Sequence, residues 1–409
     1  MIKSDALESM TDAYFVAALA ELTVRLGANL QPGQVLSISS EPGKEALARA
    51  IADEAYRRGA LFVDLSVFDP HLKRSRAMYA DPKTLKYVPP WLGARALALG
   101  DHRCARVALT GPTEPDLLDG IDPALIGMDM LPSLPEGMKV VDDRTTNWTA
   151  VPCPTESWAL LVHPDLDQSG ASARLRAELG YICRLDEPDP VAAWEQRLAS
   201  LSNMAHRLDE LALDALRFDG PGTELTIGLF KSGCWSAAHF ETVDGIVHAP
   251  NLPTEEVFTT PDPERVDGYV TATKPLFTSG TTISGLQVRF EGGRAVSFEA
   301  ERGAEVLEKL SEHDEGASRL GEVALVDREG RIGALETVFF DTLIDENAAS
   351  HIAIGQAYEM VIRDPADLAR VNQSGIHVDF MIGGDDVAVT GLLASGKEIP
   401  LLRGGAWQI

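Results

Sequence analysis

The chain contains 409 residues, 45% of them hydrophobic, which is enough to bury the cores of two or three globular domains. Its 62 acidic and 36 basic residues give a formal net charge of −26, and this balance argues against nucleic acid and anionic membranes as partners. The four cysteines are widely spaced and form no Cys-x-x-Cys pair, which is typical of free thiols in a reducing compartment. Because no apolar signal core and no apolar run of about 18 residues occurs, we expect a cytoplasmic protein.

The first half of the chain alternates between helical and strand patterns. Helical spacing of apolar residues predicts helices at residues 5–26, 45–58, 91–99 and 171–181. Short apolar runs bounded by turns predict strands at residues 35–39, 61–68, 106–110 and 158–162. Strand, helix and strand with short connections form a βαβ unit, so residues 1–189 are predicted to be an α/β domain with a mostly parallel sheet flanked by helices. Neither a GxGxxG fingerprint after the first strand nor a Walker A motif occurs, so the sequence gives no support for nucleotide binding.

The second half of the chain changes in character after a long helical pattern over residues 191–216. We interpret residues 190–219 as a linking helix, with Pro190 near its first turn. One helix is predicted at residues 304–310, and strands are predicted at residues 225–229, 266–273, 286–290, 294–298, 323–326, 338–340, 378–382 and 387–392. Residues 220–409 are therefore expected to form a mixed, mostly antiparallel α+β domain.

Histidines and carboxylates concentrate between residues 341 and 379. His351 lies in an apolar run, and an alternating strand would place His377 and Asp379 on the same face. Imidazole beside carboxylate suits Zn²⁺, Co²⁺, Mn²⁺ or Fe²⁺. Tyr358 follows His351 by seven residues, a spacing that returns to the same face if the segment is helical.

Two further segments place acids among apolar residues. Glu255 and Glu256 lie in an otherwise apolar loop, and Glu322 stands at the head of an apolar strand. A carboxylate in such a strand is costly unless it is exposed, paired or bound to metal.

Each of these residues also has an ordinary structural explanation. Glu322 could lie at a strand edge in water, and an acidic pair is usually part of a solvated loop. A single histidine such as His351 is more often a satisfied core residue, and a tyrosine such as Tyr358 more often packs with a hydroxyl partner. We interpret the other histidines as structural, including His239 and His248, which flank two acids.

Four segments together resemble the signature blocks of the M29 family of metallo-aminopeptidases, which includes aminopeptidases T and S. They are TEEVFT at 254–259, LGEVAL at 320–325, TLIDEN at 342–347 with SHIAIG at 350–355, and HVDFMI at 377–382. The resemblance runs through nearly the whole chain. It implies that the metal ligands are Glu256, Glu322, His351, His377 and Asp379, and that Tyr358 is the catalytic tyrosine. Glu256 is chosen over Glu255 because the family tolerates change at the earlier position.

The same resemblance implies the assembly and the substrate class. Members of the family are two-domain subunits paired as homodimers, with active sites that open into an internal chamber. Such a chamber would admit short peptides and exclude folded proteins, so the expected partners are short peptides and a second copy of the chain.

Peptide hydrolysis by two divalent ions, Zn²⁺, Co²⁺ or similar, is chemically consistent with these residues. Two ions about 3.5–4 Å apart can share a water, lower its pKa and polarise the scissile carbonyl. Three carboxylates would partly neutralise the ions, and one of them would bridge the pair. The tyrosine hydroxyl would hydrogen-bond the developing oxyanion. The residues leave the general base open, and the free amino group of the substrate could contact a metal or Glu255.

Two other functions compete with this interpretation. A mononuclear Fe²⁺ ring-cleaving dioxygenase would need two histidines and one carboxylate, and the additional acids Glu256 and Glu322 argue against it. A non-catalytic binding protein would be expected to have lost some of the motif residues, whereas all six positions are filled. Metal stoichiometry separates the first alternative from a two-ion hydrolase.

Overall fold

The computed structural model of the protein describes residues 10–132, 134–237, 239–278 and 281–409. The start of the helix predicted at residues 5–26 lies outside these residues. The chain forms two compact units, the first made of Met1–Gln196 with His239–Pro253 and the second of Arg197–Ala238 with Thr254–Ile409. The proposed domain limits at residues 189 and 220 stay a prediction. No helix among the described residues has both the length and the apolar character needed to cross a membrane.

The first unit is built on a parallel sheet. Its strands are β1 (Val35–Ser40), β2 (Phe62–Val67), β3 (Ala105–Thr110) and β4 (Trp148–Pro152), in the order β2-β1-β3-β4. The helices along this part of the chain are α1 (Asp12–Leu22), α2 (Glu45–Arg57), α3 (Pro70–Tyr79), α4 (Pro90–Asp101), α5 (Pro123–Met128), α6 (Pro135–Asp142), α7 (Glu156–Val162), α8 (Gln168–Ile182) and α9 (Pro190–Leu211), and most of α9 belongs to the second unit. The predicted α/β class is confirmed.

Three predicted elements differ from the structure. Residues 158–162 form part of helix α7 and not a strand, because the Thr155 hydroxyl accepts the Trp158 N–H and begins a helix that buries the Trp158 ring. The helix predicted to reach residue 216 ends at Leu211, since Ala212 has a positive φ of 48°. Residues 338–340 form no strand, and Phe340 also has a positive φ, of 57°.

The second unit consists mainly of antiparallel strands, as predicted. The strands from residue 215 onward are β5 (Ala215–Gly220), β6 (Thr223–Leu229), β7 (Ser236–Ala237), β8 (Phe240–Glu241), β9 (Val247–His248), β10 (Glu256–Thr259), β11 (Pro261–Thr271), β12 (Leu276–Thr278), β13 (Thr281–Ile283), β14 (Gln287–Glu291), β15 (Arg294–Glu299), β16 (Leu320–Val326), β17 (His351–Gly355), β18 (His377–Met381), β19 (Ala388–Leu392), β20 (Glu398–Arg403) and β21 (Ala406–Trp407). Of these, the ribbon of β8 and β9 belongs to the first unit. Three short helices are α10 (Ala304–Ser311), α11 (Thr342–Asp345) and α12 (Pro365–Leu368).

Two sheets make up most of the second unit. One has eight strands in the order β15-β14-β11-β6-β5-β19-β20-β21, and the other has five in the order β18-β17-β16-β10-β7. Every residue of β10, β16 and β17 is buried, which explains why these strands are apolar on both faces. The five-stranded sheet carries the five predicted metal ligands, so their side chains extend from a largely buried sheet.

Candidate metal centre

Strand β10 begins at Glu256, where the chain enters the five-stranded sheet. Glu256 pairs with Val326 of β16, and both Glu256 and the preceding Glu255 are buried. The interpretation of this acidic pair as a solvated loop is therefore wrong.

Strand β16 presents Glu322 through a β-bulge. The register against β17 shifts between Leu320 and Glu322. Gly321 makes the bulge possible, because a Cβ at this position would collide with the carbonyl oxygens of Gly355 and Gln356. Glu322 is only 4% exposed, so it does not lie at a strand edge in water.

Strands β17 and β18 supply both histidines, and their backbone surroundings orient both rings. His377 and Asp379 lie two residues apart on β18 and share one face, as predicted. The Nδ1 of His351 lies 3.1 Å from the carbonyl oxygen of Ala349, and the Nδ1 of His377 lies 2.7 Å from that of Gln356. A carbonyl oxygen can only accept, so each Nδ1 carries the hydrogen and each Nε2 is left to face the site.

The five predicted ligands come together in two groups. Glu256, Glu322 and His351 form one group, and Glu322, His377 and Asp379 form the other; within each group the candidate ligand atoms lie within 4.8 Å of one another. Glu322 belongs to both groups.

Cations of the zinc type fit this arrangement of donors. The Nε2 of His351 lies 3.0 Å from Glu256 Oε2, and the Nε2 of His377 lies 3.2 Å from Glu322 Oε2 and 3.3 Å from Asp379 Oδ2. Among the described residues, no partner with hydrogen-bond geometry is found for the buried Glu256 Oε2, although His351 is so near. Nitrogen and oxygen atoms that converge in this way need a positive charge among them, either a proton or a metal cation, and imidazole with carboxylate is a donor set for Zn²⁺ or Co²⁺.

Burial at Glu322 and the charges of the cluster raise the pKa values of three of its members. Burial, with the negative charge of Asp379 and Glu256, raises the pKa of Glu322 to about 7. Burial opposes the charged imidazole of His351, but Glu256, Asp379 and Glu322 outweigh it and raise its pKa to about 9. The pKa of His377 is likewise well above its ordinary value, because its neighbouring carboxylates outweigh burial. The cluster therefore holds excess negative charge that favours cations.

Tyr358 lies beside the two groups and not in a helix with His351. Its ring packs against His377 and Phe258, with centroids 5.4 Å and 5.3 Å away, and its residue surface is 38% exposed. Burial of the phenol group and the charges of Glu322 and Asp379 raise its pKa well above 10. The hydroxyl is therefore a proton donor at neutral pH. The helical option for the spacing from His351 does not apply, because residues 351–355 form strand β17.

Glu346 is a member of the site that the sequence analysis did not assign. It is buried in the turn Glu346–Ala348, and it contacts the carboxylate of Asp379. Burial and the charges of Asp379, Glu256 and Glu322 raise its pKa well above the ordinary value. The sequence did contain one indication of its role. Glu346 follows Asp345 directly in the TLIDEN segment, and this segment holds no basic residue to balance the two acids.

Glu255 is held outside the site by a network of buried charges. Its Oε2 accepts from the Arg197 Nε at 2.5 Å, its Oε1 accepts from the Arg331 N–H, and its own N–H donates to Asn347 Oδ1. Arg197 also lies 3.3 Å from Asp327, the residue that follows β16. Both Glu255 oxygens are therefore engaged within the protein.

Comparisons with known proteins agree on one family. The sequence profile of the family described as "Thermophilic metalloprotease (M29)" matches residues 15–407. Aminopeptidase T of Thermus aquaticus is 41% identical over 399 residues, covering 96% of this chain and 98% of that protein. Aminopeptidase PepS of Streptococcus thermophilus is 34% identical over 401 residues, covering 95% and 97%. The solved structure of wild-type AmpT from Thermus thermophilus superposes with a TM-score of 0.91 at 38% identity, covering 98% of this chain and 100% of that one.

Proposed function

The chain belongs to the M29 family of metallopeptidases and is a peptide hydrolase of the aminopeptidase type, and from this premise we propose that it releases N-terminal residues from short peptides at a centre of two divalent ions. The observation that carries the proposal is that Glu322 belongs to both groups of candidate ligands. A carboxylate has two oxygens and can serve two ions at once, whereas an imidazole Nε2 serves one. Two ions that share a ligand are the arrangement of co-catalytic hydrolases.

In this proposal each ion has its own histidine. Glu256 and His351 would hold one ion and His377 and Asp379 the other, and Glu322 belongs to both groups of ligands. The ions, Zn²⁺ or Co²⁺, supply a polarised carbonyl and a water of lowered pKa when bound. The Nδ1–H bonds to Ala349 and Gln356 keep both imidazoles in the tautomer that can bind metal.

Tyr358 acts on the substrate carbonyl. Its hydroxyl donates a hydrogen bond to the carbonyl oxygen as negative charge develops there, and the raised pKa keeps the proton on the phenol. Packing of the ring between Phe258 and His377 limits its freedom, so the donor is positioned before the reaction.

We also propose a cytoplasmic homodimer that acts on short peptides. The four cysteines form no disulfide, which suits a reducing compartment. The homodimer and the restriction to short peptides come from the family resemblance. Sedimentation analysis tests the homodimer, and hydrolysis rates for peptides of increasing length test the restriction.

Elemental analysis combined with a panel of aminoacyl chromogenic substrates tests the function. We expect two ions per chain, release of the chromophore from substrates with a free amino group, loss of turnover with a chelator, and recovery with Co²⁺ or Zn²⁺. One iron per chain would favour the ring-cleaving dioxygenase instead. Full hydrolysis by metal-stripped protein would refute the proposal.

A further inference from the structure

A cavity of about 240 Å³ lies in the second unit, apart from the candidate metal centre. It lies between helix α9, the turn after strand β16 and strand β21, and none of the five proposed metal ligands lines it. Six of its lining residues are large or charged: Leu201, Met204, Asp327, Arg328, Glu329 and Trp407. A cavity of about 150 Å³ is enough to hold benzene, so this one has room for a molecule of the size of an amino acid.

One carboxylate in this cavity already has its counter-charge. Asp327 is buried, its Oδ2 accepts the Trp407 Nε1–H at 2.7 Å, and its Oδ1 lies 3.3 Å from the Arg197 guanidinium. Asp327 therefore needs no cation from a ligand. Its hydrogen bond to Trp407 fixes the indole ring, which forms one side of the cavity.

Two opposite charges lie beside Asp327 on a fixed turn. Arg328 and Glu329 are the central residues of a β-turn in which the Gly330 N–H donates to the Asp327 carbonyl at 3.2 Å. The Asp327 Oδ1 accepts the Glu329 N–H at 2.9 Å, and the Arg328 N–H donates to the Gly405 carbonyl at 2.8 Å. Both side chains are exposed, and neither forms a hydrogen bond or an ion pair with another of the residues that the structure describes. The turn therefore offers one cation and one anion to a ligand.

Most of the remaining surface of the cavity is apolar. Leu201 and Met204 lie three residues apart, so they share one face of helix α9. Met204 is half-buried, and its unbranched thioether side chain adapts to the shape of a neighbouring group. Together with the Trp407 ring they form an apolar surface beside the charges of Arg328 and Glu329. The cavity therefore combines a cation, an anion and an apolar surface.

We propose that this cavity binds a free amino acid with an apolar side chain, such as leucine. The Arg328 guanidinium binds its carboxylate through two parallel hydrogen bonds, and Glu329 accepts from its ammonium group. The side chain of the ligand lies against Met204 and Trp407. A zwitterion matches both charges of the turn with one small molecule, since a single carbon separates its charged groups and Arg328 is adjacent to Glu329. A simple amine or carboxylate would match only one of the two charges.

This binding site goes beyond the proposed function. An aminopeptidase releases free amino acids, so the cavity would bind a class of molecule that the proposed reaction produces. The binding itself does not depend on that reaction, because no proposed metal ligand contributes to the cavity. A cavity that fails to bind leucine and a protein that fails to hydrolyse peptides are therefore separate results.

Fluorine NMR of the Zn²⁺-loaded enzyme labelled with 5-fluorotryptophan tests the proposal at the cavity itself. The chain has six tryptophans, and a Trp407→Phe variant identifies the resonance of Trp407. Leucine should shift this resonance in a saturable way. Leucinol lacks the carboxylate, N-acetylleucine lacks the charged amine and glycine lacks the side chain, so each should bind at least about tenfold more weakly. The ¹³C-labelled methyl group of Met204, identified with Met204→Leu, gives a second titration if Trp407→Phe does not fold.

Substitutions in the turn test its two charges. Arg328→Gln and Glu329→Gln change exposed side chains, and each should weaken the binding of leucine at least about fivefold. The matched control Arg289→Gln, at an arginine on β14 that is 59% exposed, should keep the wild-type affinity.

Three results would overturn the proposal. The first is that neither resonance shifts up to the solubility limit of leucine. The second is equal affinity for leucine and leucinol, which would show that the carboxylate is not bound. The third is an unchanged affinity for leucine in either turn variant, which would place the leucine that causes the shift outside this cavity, at the metal centre for example.

Discussion

Replacement of Arg197 by methionine tests the buried charges that support the candidate centre. The Arg197 side chain is 7% exposed and Glu255 is 0% exposed, and Asp327 is also buried. Removal of the guanidinium leaves two carboxylates in a low-dielectric surrounding without their cation. Breaking a buried ion pair in this way costs about 3–5 kcal/mol, and since two partners lose their counter-charge we expect the upper part of this range.

Urea unfolding followed by circular dichroism measures this loss as a fall in the free energy of unfolding. Arg217→Met is the matched control, because Arg217 forms a two-bond ion pair with Glu398 on the surface. That pair is 32% and 53% exposed, so its loss should cost less than about 1 kcal/mol. Equal losses in the two variants would refute the reasoning from burial.

A combined variant separates the charge from the packing of the Arg197 side chain. Arg197→Met with Glu255→Gln and Asp327→Asn removes the stranded charges, so it should be more stable than Arg197→Met alone. Arg197→Met should also weaken metal binding by about 10- to 100-fold, since Glu255 precedes the proposed ligand Glu256. Competition with a fluorescent chelator measures that affinity. A combined variant no more stable than the single one would show that the lost stability is not electrostatic.

Three further predictions concern single residues. Tyr358→Phe should lower kcat by about 10²- to 10³-fold with unchanged metal content, and unchanged turnover would exclude the proposed hydrogen bond. Burial lowers the pKa of His248 from 6.5 to about 4 in the folded state, so the unfolded chain binds more protons there and this histidine alone should cost wild type about 3 kcal/mol of stability as the pH falls through that window. His248→Phe should lose less over the same window in urea unfolding, whereas His206→Gln, at an exposed histidine, should behave like wild type. Gly321→Ala should destabilise the protein and reduce metal content, because its Cβ would displace Gln356 from His377.

Local periodicity predicted the parts of the site that depend on one strand. The shared face of His377 and Asp379 follows from the two-residue period of β18, and it needed no knowledge of the fold. The same reasoning failed for residues 158–162, because a short apolar run fits a buried helix as well as a strand. There the decisive group was the Thr155 hydroxyl, which caps helix α7 and lies just before the run.

Features that depend on distant partners could not be predicted from pattern. The β-bulge at Glu322 requires the backbone of Gln356 to approach Gly321, and nothing in the LGEVAL segment indicates that approach. The role of Glu346 could not be predicted from its signature block, since it arises from Asp379 and Glu322, which lie on strands distant in sequence.

Glu255 and Glu256 illustrate why the chemistry of a residue type does not fix its role. The two acids are adjacent and both are buried, so composition and hydropathy treat them alike. Adjacent residues at the start of a strand point to opposite sides, and here one side holds Arg197 while the other holds His351. With a guanidinium beside it, Glu255 has a permanent counter-charge and supports the fold. Glu256 faces the Nε2 of His351, which can exchange a proton for a metal ion because its Nδ1–H is held by a backbone carbonyl. The residue that faces each carboxylate, Arg197 for Glu255 and His351 for Glu256, therefore decides which acid is structural and which is the proposed ligand.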